Sequence, residues 1–576
     1  MLMHAYLFEA KSIQSFILDS GKLRDLVGAS ELVDSLCAKP LADALAACGL
    51  AECALPEQGA FEEAAIGDRV AFSRRAGGAF YAFSRSPDSL ARLAAFWPLI
   101  VQQYTPGLEF DQGQGAGADA FAAFKEAQQA LRMDRSRLWP SLPQAGPQAH
   151  RSQRTGRAAV ALRRTPDGDL EPLDAGVRRQ RWASEQDEGG LVGKLAPPDS
   201  GLTAKDWPRN MDAREAEEAQ EADRAGVFPF LGDNRYIAVV HADGNGLGQL
   251  LMNMERFVEE EARADYLSAF YQVSIAIEQA TQRAAQRAVE ATLLNNRHPQ
   301  TGMLPARPVV LGGDDLTIIV RGDLAVPFTR IFLAAFEEET AARMTPLLAR
   351  GLPVPERLTA CAGIAYIKAS QPFYLAAHLA EGITAAVKRQ AKAIDASTPP
   401  SSLAWHRVTT AMIDEYGQAL KQELTIGPAG ERFRNSLGAY AVGFRTESET
   451  MAGNLPSLDD LLALQRLFEL PAMARGPARQ LLTLIGQSPE QARSQYKRWS
   501  ALMRERANRK EDIMKVYEQG MARLIGPVTG SLPYREAHPT ESDGGRVHQI
   551  GPLGDLHALM AVKNRAELVM TGGDQA

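Results

Sequence analysis

Cysteine is scarce: there are four in 576 residues. Cys37, Cys48, Cys53 and Cys361 form no C-x-x-C pair, which excludes a disulfide scaffold and argues against a zinc site built on them. No apolar run reaches about 18 residues, so no transmembrane helix is expected. The first ten residues lack a basic segment and run straight into strand-like sequence. No signal peptide is therefore expected, and the protein is placed in the cytoplasm. A strong excess of one charge is lacking too. With 63 Lys+Arg against 70 Asp+Glu, the net charge is −7. That argues against a surface that is all nucleic-acid footprint, but leaves room for a local basic patch. A P-loop is also missing. Its nearest candidate, Gly189–Leu195, is one residue too short between its glycines and has Leu195 where Ser or Thr is required.

What the chain does have is apolar surface. At 45% hydrophobic and 23% charged residues it has the composition of folded domains, not of disordered chain. Length implies about three or four domains. Residues 4–8 read as a strand, 11–18 and 23–45 as helices broken near Pro40, and 70–83 as a hairpin across Gly77-Gly78. Residues 90–104 and 119–132 read as helices. From Trp139 to Trp207 the chain is rich in Pro, Gly, Gln and Arg with weak periodicity, so it is expected to be an insertion or loose subdomain. An acidic helical run is expected over 213–223.

A second cycle follows. Residues 235–242 form a strand pattern, and Asp243-Gly-Asn-Gly turns into helical sequence at 247–257 and 262–291. Residues 308–320 read as a hairpin, 328–348 as a helix, 358–367 as a strand and 374–393 as a helix. From about residue 400 a mainly helical region runs to Leu524, followed by a Gly/Pro-rich tail. Strand-end turn and Gly-Gly lie about 67 residues apart in the first cycle and about 69 in the second, so two related α/β units are inferred.

The sharpest local signal is Leu311-Gly312-Gly313-Asp314-Asp315 at the second hairpin tip. Two adjacent carboxylates there, with Asp243 at the end of a neighbouring strand, make a set suited to a hard cation that shares its ligands with phosphates. Gly312 and Gly313 let a phosphate approach, and the Gly244-Asn245-Gly246 turn can offer backbone N–H groups. Lys388 stands on the helix after the third strand of the cycle. On residues alone, Gly-Gly-Asp-Asp also fits a plain turn, and Lys388 a solvated lysine.

R-Y-I-A-V-V-H-A-D-G-N-G-L-G, V-V-L-G-G-D-D-L-T-I-I-V, L-T-A-C-A-G-I-A-Y-I-K and A-E-G-I-T-A-A-V-K, in that order, resemble the palm of the large polymerase-like subunit of type III CRISPR effector complexes. That palm is related to GGDEF diguanylate cyclases and nucleotidyl cyclases. The resemblance implies two ferredoxin-like palm domains of α/β (α+β) class, the first degenerate and the second catalytic, plus a mainly helical C-terminal domain. The implied division is 1–132, a basic linker at 133–225, 226–397 and 398–576. It further implies joining of ATP into cyclic oligoadenylates, with Mg²⁺ or Mn²⁺ on Asp243, Asp314 and Asp315. Gly244, Asn245, Gly246, Gly312, Gly313 and Lys388 would bind the nucleotide. Implied partners are RNA or sister subunits and a downstream effector that answers the product; no membrane is expected.

K-S-I-Q-S-F-I and K-L-R-D-L-V-G-A-S-E-L-V-D resemble the family's non-catalytic first palm, with Ala79 and Phe80 standing where the second has Asp314 and Asp315; the resemblance implies that this unit holds no metal, binds a second ATP against the active palm and acts as a scaffold. There are departures. No His-Asp dipeptide occurs, so no HD nuclease is expected. Residues 150–183 hold no cysteine, so no zinc is expected. Asn245 stands where members often have a second Asp, which favours a rival reading as a structural palm subunit with little catalysis. A GGDEF-like cyclase acting on GTP is a further alternative, since no base-reading residue is identified. Arg493, Lys497, Arg498, Arg504, Arg506, Arg509 and Lys510 follow one helical pattern, read as a solvated face or as a dock for RNA or a partner, with Trp499 as core.

Overall fold

The computed structural model describes residues 2–136, 142–165, 168–186, 189–213, 226–231, 234–261, 266–409, 415–428, 430–443, 455–470, 473, 475–506, 513–527, 531–538, 541 and 546–563. Residues 214–223 of the expected acidic helix, and Arg509 and Lys510, lie outside these.

The first unit runs β1 (Met3–Lys11), α1 (Ile13–Leu18), α2 (Leu23–Leu36), α3 (Lys39–Ala47), β2 (Ala71–Ala76), β3 (Ala79–Ser84), α4 (Pro87–Tyr104), β4 (Glu109–Gly117) and α5 (Ala120–Asp134). Its antiparallel sheet has the order β2-β3-β1-β4, the ferredoxin-like arrangement. Alternation along β1 and β3 puts Tyr6, Phe8 and Phe80 on one face, where they meet Phe72, Trp97 and Phe110 in an aromatic core. The strand at β4 is absent from the sequence reading, because Gln112-Gly-Gln-Gly-Ala-Gly has neither β-branched residues nor alternation. Its glycines are there for space: a Cβ on Gly113 would fall 2.2 Å from the Ala127 carbonyl oxygen on α5.

A linking stretch follows, with β5 (Ala161–Arg164), β6 (Leu170–Leu173), α6 (Ala175–Gln186) and α7 (Gly190–Leu195). It is not loose. Helix α6 lies so close to α2 that a Cβ on Gly28 would overlap the Gln180 carbonyl. Arg181 is buried between Asp25, at 3.0 and 3.2 Å, and Glu171, at 2.7 Å. Arg157 pairs with Asp19 and Lys194 with Asp34, both at 2.6 Å. Docking through arginines leaves no apolar period in the sequence, which is why the stretch looked unattached.

The second unit repeats the first: β7 (Tyr236–Gly244), α8 (Leu247–Glu261), α9 (Tyr266–Ala288), β8 (Ala306–Gly312), β9 (Asp315–Arg321), α10 (Ala325–Ala349), β10 (Ala360–Lys368) and α11 (Phe373–Ile394). The order β8-β9-β7-β10 matches β2-β3-β1-β4. Both hairpins carry an extra residue at the same place, Ser73 in β2 and Val309 in β8. The units also exchange helices. Leu26, Val27 and Val33 of α2 pack with Ile237, Val239 and Ile319 of the second sheet, while Tyr266 and Leu267 of α9 pack with Ala5, Leu7 and Phe83 of the first. The hairpin tips meet as well: a Cβ on Gly312 would lie 3.1 Å from the Gly77 Cα.

The region after residue 400 departs from the expected helices. β11 (Ser402–Arg407) adds to the second sheet parallel to β10, and a two-residue strand at Tyr440–Ala441 follows it. All but the last residue of β11 are buried, so it lacks the alternation that marks a half-exposed strand. Two-residue strands at 425–426, 433–434, 535–536 and 549–550 form a further small sheet. The rest is helical, as expected, and a last helix at Leu553–Val562 falls in what reads as tail. Trp499 is core, edge-on to Tyr517 at 5.1 Å. Of the basic residues on its helix, Arg504 pairs with Glu518 at 2.7 Å and Arg493 pairs with Glu431. The four cysteines are free, and no helix of the described residues is long and apolar enough to cross a membrane.

Removing one partner from a buried ion pair leaves the other charge stranded, at about 3–5 kcal/mol. Arg181→Ala is therefore expected to lower stability by about 3 kcal/mol in denaturant unfolding, whereas exposed Arg178→Ala should change it by less than about 0.5 kcal/mol.

Candidate active site

Strand β7 is the central strand of the second unit, flanked by β9 and β10, and apart from His241 its buried residues are apolar until Asp243-Gly244. The hairpin beside it turns at Gly313-Asp314, and Asp315 opens β9. Register pairs Ala242 with Leu316, so Asp243 and Asp315 are neighbours across the sheet. One carboxylate oxygen from each of Asp243, Asp314 and Asp315 lies within 4.8 Å of the others. The approach depends on Gly244, where a Cβ would sit 2.7 Å from Asp314 Oδ2. Gly313 takes φ +61°, the left-handed region that glycine enters without strain.

Three carboxylates this close repel one another when charged. Burial, followed by the charge of Asp243, pushes Asp314 up to about 6. Burial, then the charges of Asp314 and Asp243 and a hydrogen bond with Asp243, pushes Asp315 up to about 9. Lys388 is the cation at the cluster: its ammonium binds the Asp243 carboxylate and donates 2.8 Å to the Gly244 carbonyl. One lysine leaves the set short of positive charge. An all-carboxylate donor set is what Mg²⁺ or Mn²⁺ prefers, so the residues fit a divalent cation. His241 lies one turn of the pleat below Asp243. Burial pushes it down to about 4, and its Nδ1 meets Thr317 Oγ1 at 3.0 Å. Its carbonyl accepts 3.0 Å from Thr384 Oγ1, which ties α11, and so Lys388, to β7.

Asp243, Asp314, Asp315 and Lys388 thus come together as expected, with Gly244, Gly312 and Gly313 beside them. Asn245 does not join them. Its backbone N–H donates 2.7 Å to the Thr359 carbonyl, and its Nδ2 donates 3.0 Å to Thr359 Oγ1 and 3.3 Å to Cys361 Sγ. Asn245 bolts the turn to β10, so neither N–H group is free for a ligand. Gly246 turns the chain (φ +80°) into α8.

The same registers correct the match between the units. The first hairpin turns at Gly77-Gly78 and the second, one residue later, at Gly313-Asp314. Phe80 pairs with Phe8 as Leu316 pairs with Ala242, so Gly78 and Ala79, not Ala79 and Phe80, occupy the places of Asp314 and Asp315. Glu9 then occupies the place of Asp243. A Cβ on Gly113 would meet Ala127 and Leu131, and one on Gly363 would meet Ala380 and Thr384, which sets Arg135 in the place of Lys388. Arg135 binds Glu9 at 3.0 Å. The first unit therefore keeps an acid–base pair at the strand end and lacks both turn carboxylates. Glu9 follows the apolar run of its strand as Asp243 follows that of β7, a signal available in the sequence; Arg135 is placed only by the structure.

Residues 236–396 match the family described as Cas10/Cmr2, second palm domain. The chain carries a Cas10/Cmr2 palm. That palm holds β7 to α11, with every residue of the acidic cluster and Lys388. Solved structures similar to the chain include the Csm1-Csm4 cassette in complex with cA4 and the Csm1-Csm4 subcomplex in the type III-A CRISPR-Csm interference complex. Each has 13% identity and a TM-score of 0.47, covering 97% of this chain and 70% of that one. The cassette in complex with one ATP is 12% identical, with a TM-score of 0.45, over 98% and 70%. No curated protein matches the chain.

Protons held by Asp314 and Asp315 in the fold are lost from the unfolded chain above about pH 4. Stability without a divalent ion should therefore fall as pH rises from about 5 to 9. Asp315→Asn should flatten that fall relative to wild type, which separates this site from buried Asp555, itself raised to about 7. Mn²⁺ should raise the melting temperature more at pH 9 than at pH 5. Differential scanning calorimetry across pH reads all three.

Proposed function

We propose that this chain is a nucleotidyltransferase that joins ATP into cyclic or short linear oligoadenylates in antiviral defence, using Mg²⁺ or Mn²⁺. The observation that carries the reading is the convergence of Asp243, Asp314 and Asp315 within 4.8 Å in a Cas10/Cmr2 palm. Asp243, Asp314 and Asp315 are the metal ligands. A divalent cation there supplies the Lewis acidity that phosphoryl transfer needs. The 3′-hydroxyl oxygen of one nucleotide bonds to the α-phosphorus of the next, the α–β P–O bond breaks, pyrophosphate leaves, and the hydroxyl proton passes to solvent. Lys388 lies beside Asp243 and steadies the phosphates. Gly313, with nothing within 4 Å of where a Cβ would stand, leaves the tip open to a triphosphate, whereas the space at Gly312 is taken by Gly77. The first unit, without turn carboxylates, is the degenerate palm; in this reading it binds a second ATP against the active palm and acts as scaffold. RNA or sister subunits of an effector complex are the partners in this reading, and a downstream effector answers the product.

Asn245 supports a second reading. Its amide is committed to Thr359 and Cys361, and it adds no carboxylate to the cluster. On that reading the palm is structural and turnover is negligible.

Mass spectrometry of products from purified protein, ATP and Mn²⁺, with and without RNA, separates the two. The transferase reading expects oligoadenylates from wild type and a loss of at least about a hundredfold in Asp314→Asn and Asp315→Asn, with folding retained. Equal product from these variants, or none from wild type under either condition, rejects it.

A further inference from the structure

The C-terminal region packs against the second sheet and leaves a cavity of about 290 Å³ between them. Its walls are the end of β11, the segment 423–426, the helix Arg475–Gln487 and the first turn of the last helix. It lies at the far end of the sheet from the acidic cluster. Arg407, on its wall, pairs in register with Tyr366 and through it with Ala238 of β7, whereas Asp243 pairs with Cys361. Neither the three carboxylates nor Lys388 lines it.

The acids on this wall are spent. Glu423 Oε2 meets His406 Nε2 at 2.9 Å, with both side chains largely buried. Asp555 Oδ2 accepts 2.9 Å from the Leu437 backbone N–H and 2.6 Å from the Tyr440 hydroxyl. The bases are not spent. Arg407 donates 3.1 Å from Nη1 to the Tyr236 hydroxyl, but its Nε is buried and finds no hydrogen-bond partner among the described residues. The same is true of His557 Nδ1. Burial, then the charges of Arg407 and Arg479, hold the proton affinity of His557 below that of a free imidazole. A neutral imidazole still presents one N–H. The helix that carries His557 begins at the cavity without a side-chain cap, so its positive end adds to the bias.

Buried polar groups are normally satisfied, and two orphan nitrogens around one cavity call for a partner. A metal ion does not answer, since among the described residues the acidic cluster is the only group of three close metal ligands. Another cation would find both carboxylates taken. What the wall lacks is an acceptor, and its positive bias favours a charged one. The cavity is larger than a bare ion needs, and Trp405, Leu424, Ile426 and Leu482 give it an apolar side.

We propose that this cavity is a binding site for a small organic oxyanion, a carboxylate or a phosphate ester, whose charged oxygens take the N–H groups of Arg407 and His557 and whose body lies on Trp405 and Leu482. Because separate segments wall the site, such a ligand fastens the C-terminal region to the second sheet. The site does not depend on the transferase reading, and its failure leaves that reading standing.

The test reads the cavity directly, by nuclear magnetic resonance of the full chain labelled isotopically at histidine Cε1. His557 is identified by the signal lost in His557→Gln. Sodium phosphate, sodium acetate and sodium chloride are titrated at one pH and equal ionic strength, without divalent metal. A saturable shift of the His557 signal is expected with phosphate or acetate, and none with chloride. Whichever oxyanion binds more tightly tells a phosphate ester from a carboxylate. Arg407→Gln is expected to weaken binding about fivefold or more, and exposed Arg178→Gln to leave it unchanged. No saturable shift with either oxyanion, the same shift with chloride, wild-type affinity in Arg407→Gln, or an equal loss in Arg178→Gln overturns the proposal. Melting temperatures show whether Arg407→Gln folds. If it does not, the wild-type titration decides alone, because His557 itself lines the cavity.

Discussion

Two hairpin tips that carry no side chain at their point of contact set the geometry of this protein. Gly77 and Gly312 meet backbone to backbone, and a single methyl group on Gly312 would crowd the Gly77 Cα at 3.1 Å. The contact is held from behind by the exchanged helices, α2 lying on the second sheet and α9 on the first. Burial of apolar surface over those helices supplies the adhesion; the glycines set how close the units come.

The two units show how one framework holds opposite chemistry. Both carry an acid near the end of the first strand, Glu9 or Asp243, and both answer it with a base one helix away, Arg135 or Lys388. In the first unit Glu9 is matched by its arginine. In the second, Asp314 and Asp315 add two more carboxylates, and one lysine cannot balance them. Their raised proton affinity is the physical sign of that deficit, and a divalent cation is the species that relieves it. Gly244 is part of the same arrangement, since only its missing side chain lets Asp314 fold back over the strand end.

Much of the candidate site was legible before any coordinates. An apolar strand running into Asp243-Gly244, and Gly312-Gly313-Asp314-Asp315 at a hairpin, are local patterns with local causes. The repeat in turn-to-Gly-Gly distance correctly announced two related units. The matching of their residues slipped by one, because the glycine pair forms the whole turn in the first hairpin and only half of it in the second. Elements without a local pattern were missed: the glycine-rich β4, the fully buried β11 and the arginine-docked α6. The direction of Asn245 was also beyond reach, since Thr359 and Cys361 lie more than a hundred residues away.

The sequence by itself therefore determined the acidic residues, the strand ends that carry them and the existence of a second, carboxylate-poor copy. These depend on alternation and turn chemistry within a few residues. Tertiary structure alone decided that Lys388 closes on Asp243, that Glu9 and Arg135 stand as their counterparts, and that Gly77 meets Gly312. Those relations depend on strand register, on how closely helices cross glycines and on how two units dock. Each is fixed by packing between segments far apart in the chain, and packing leaves little trace in the order of the residues.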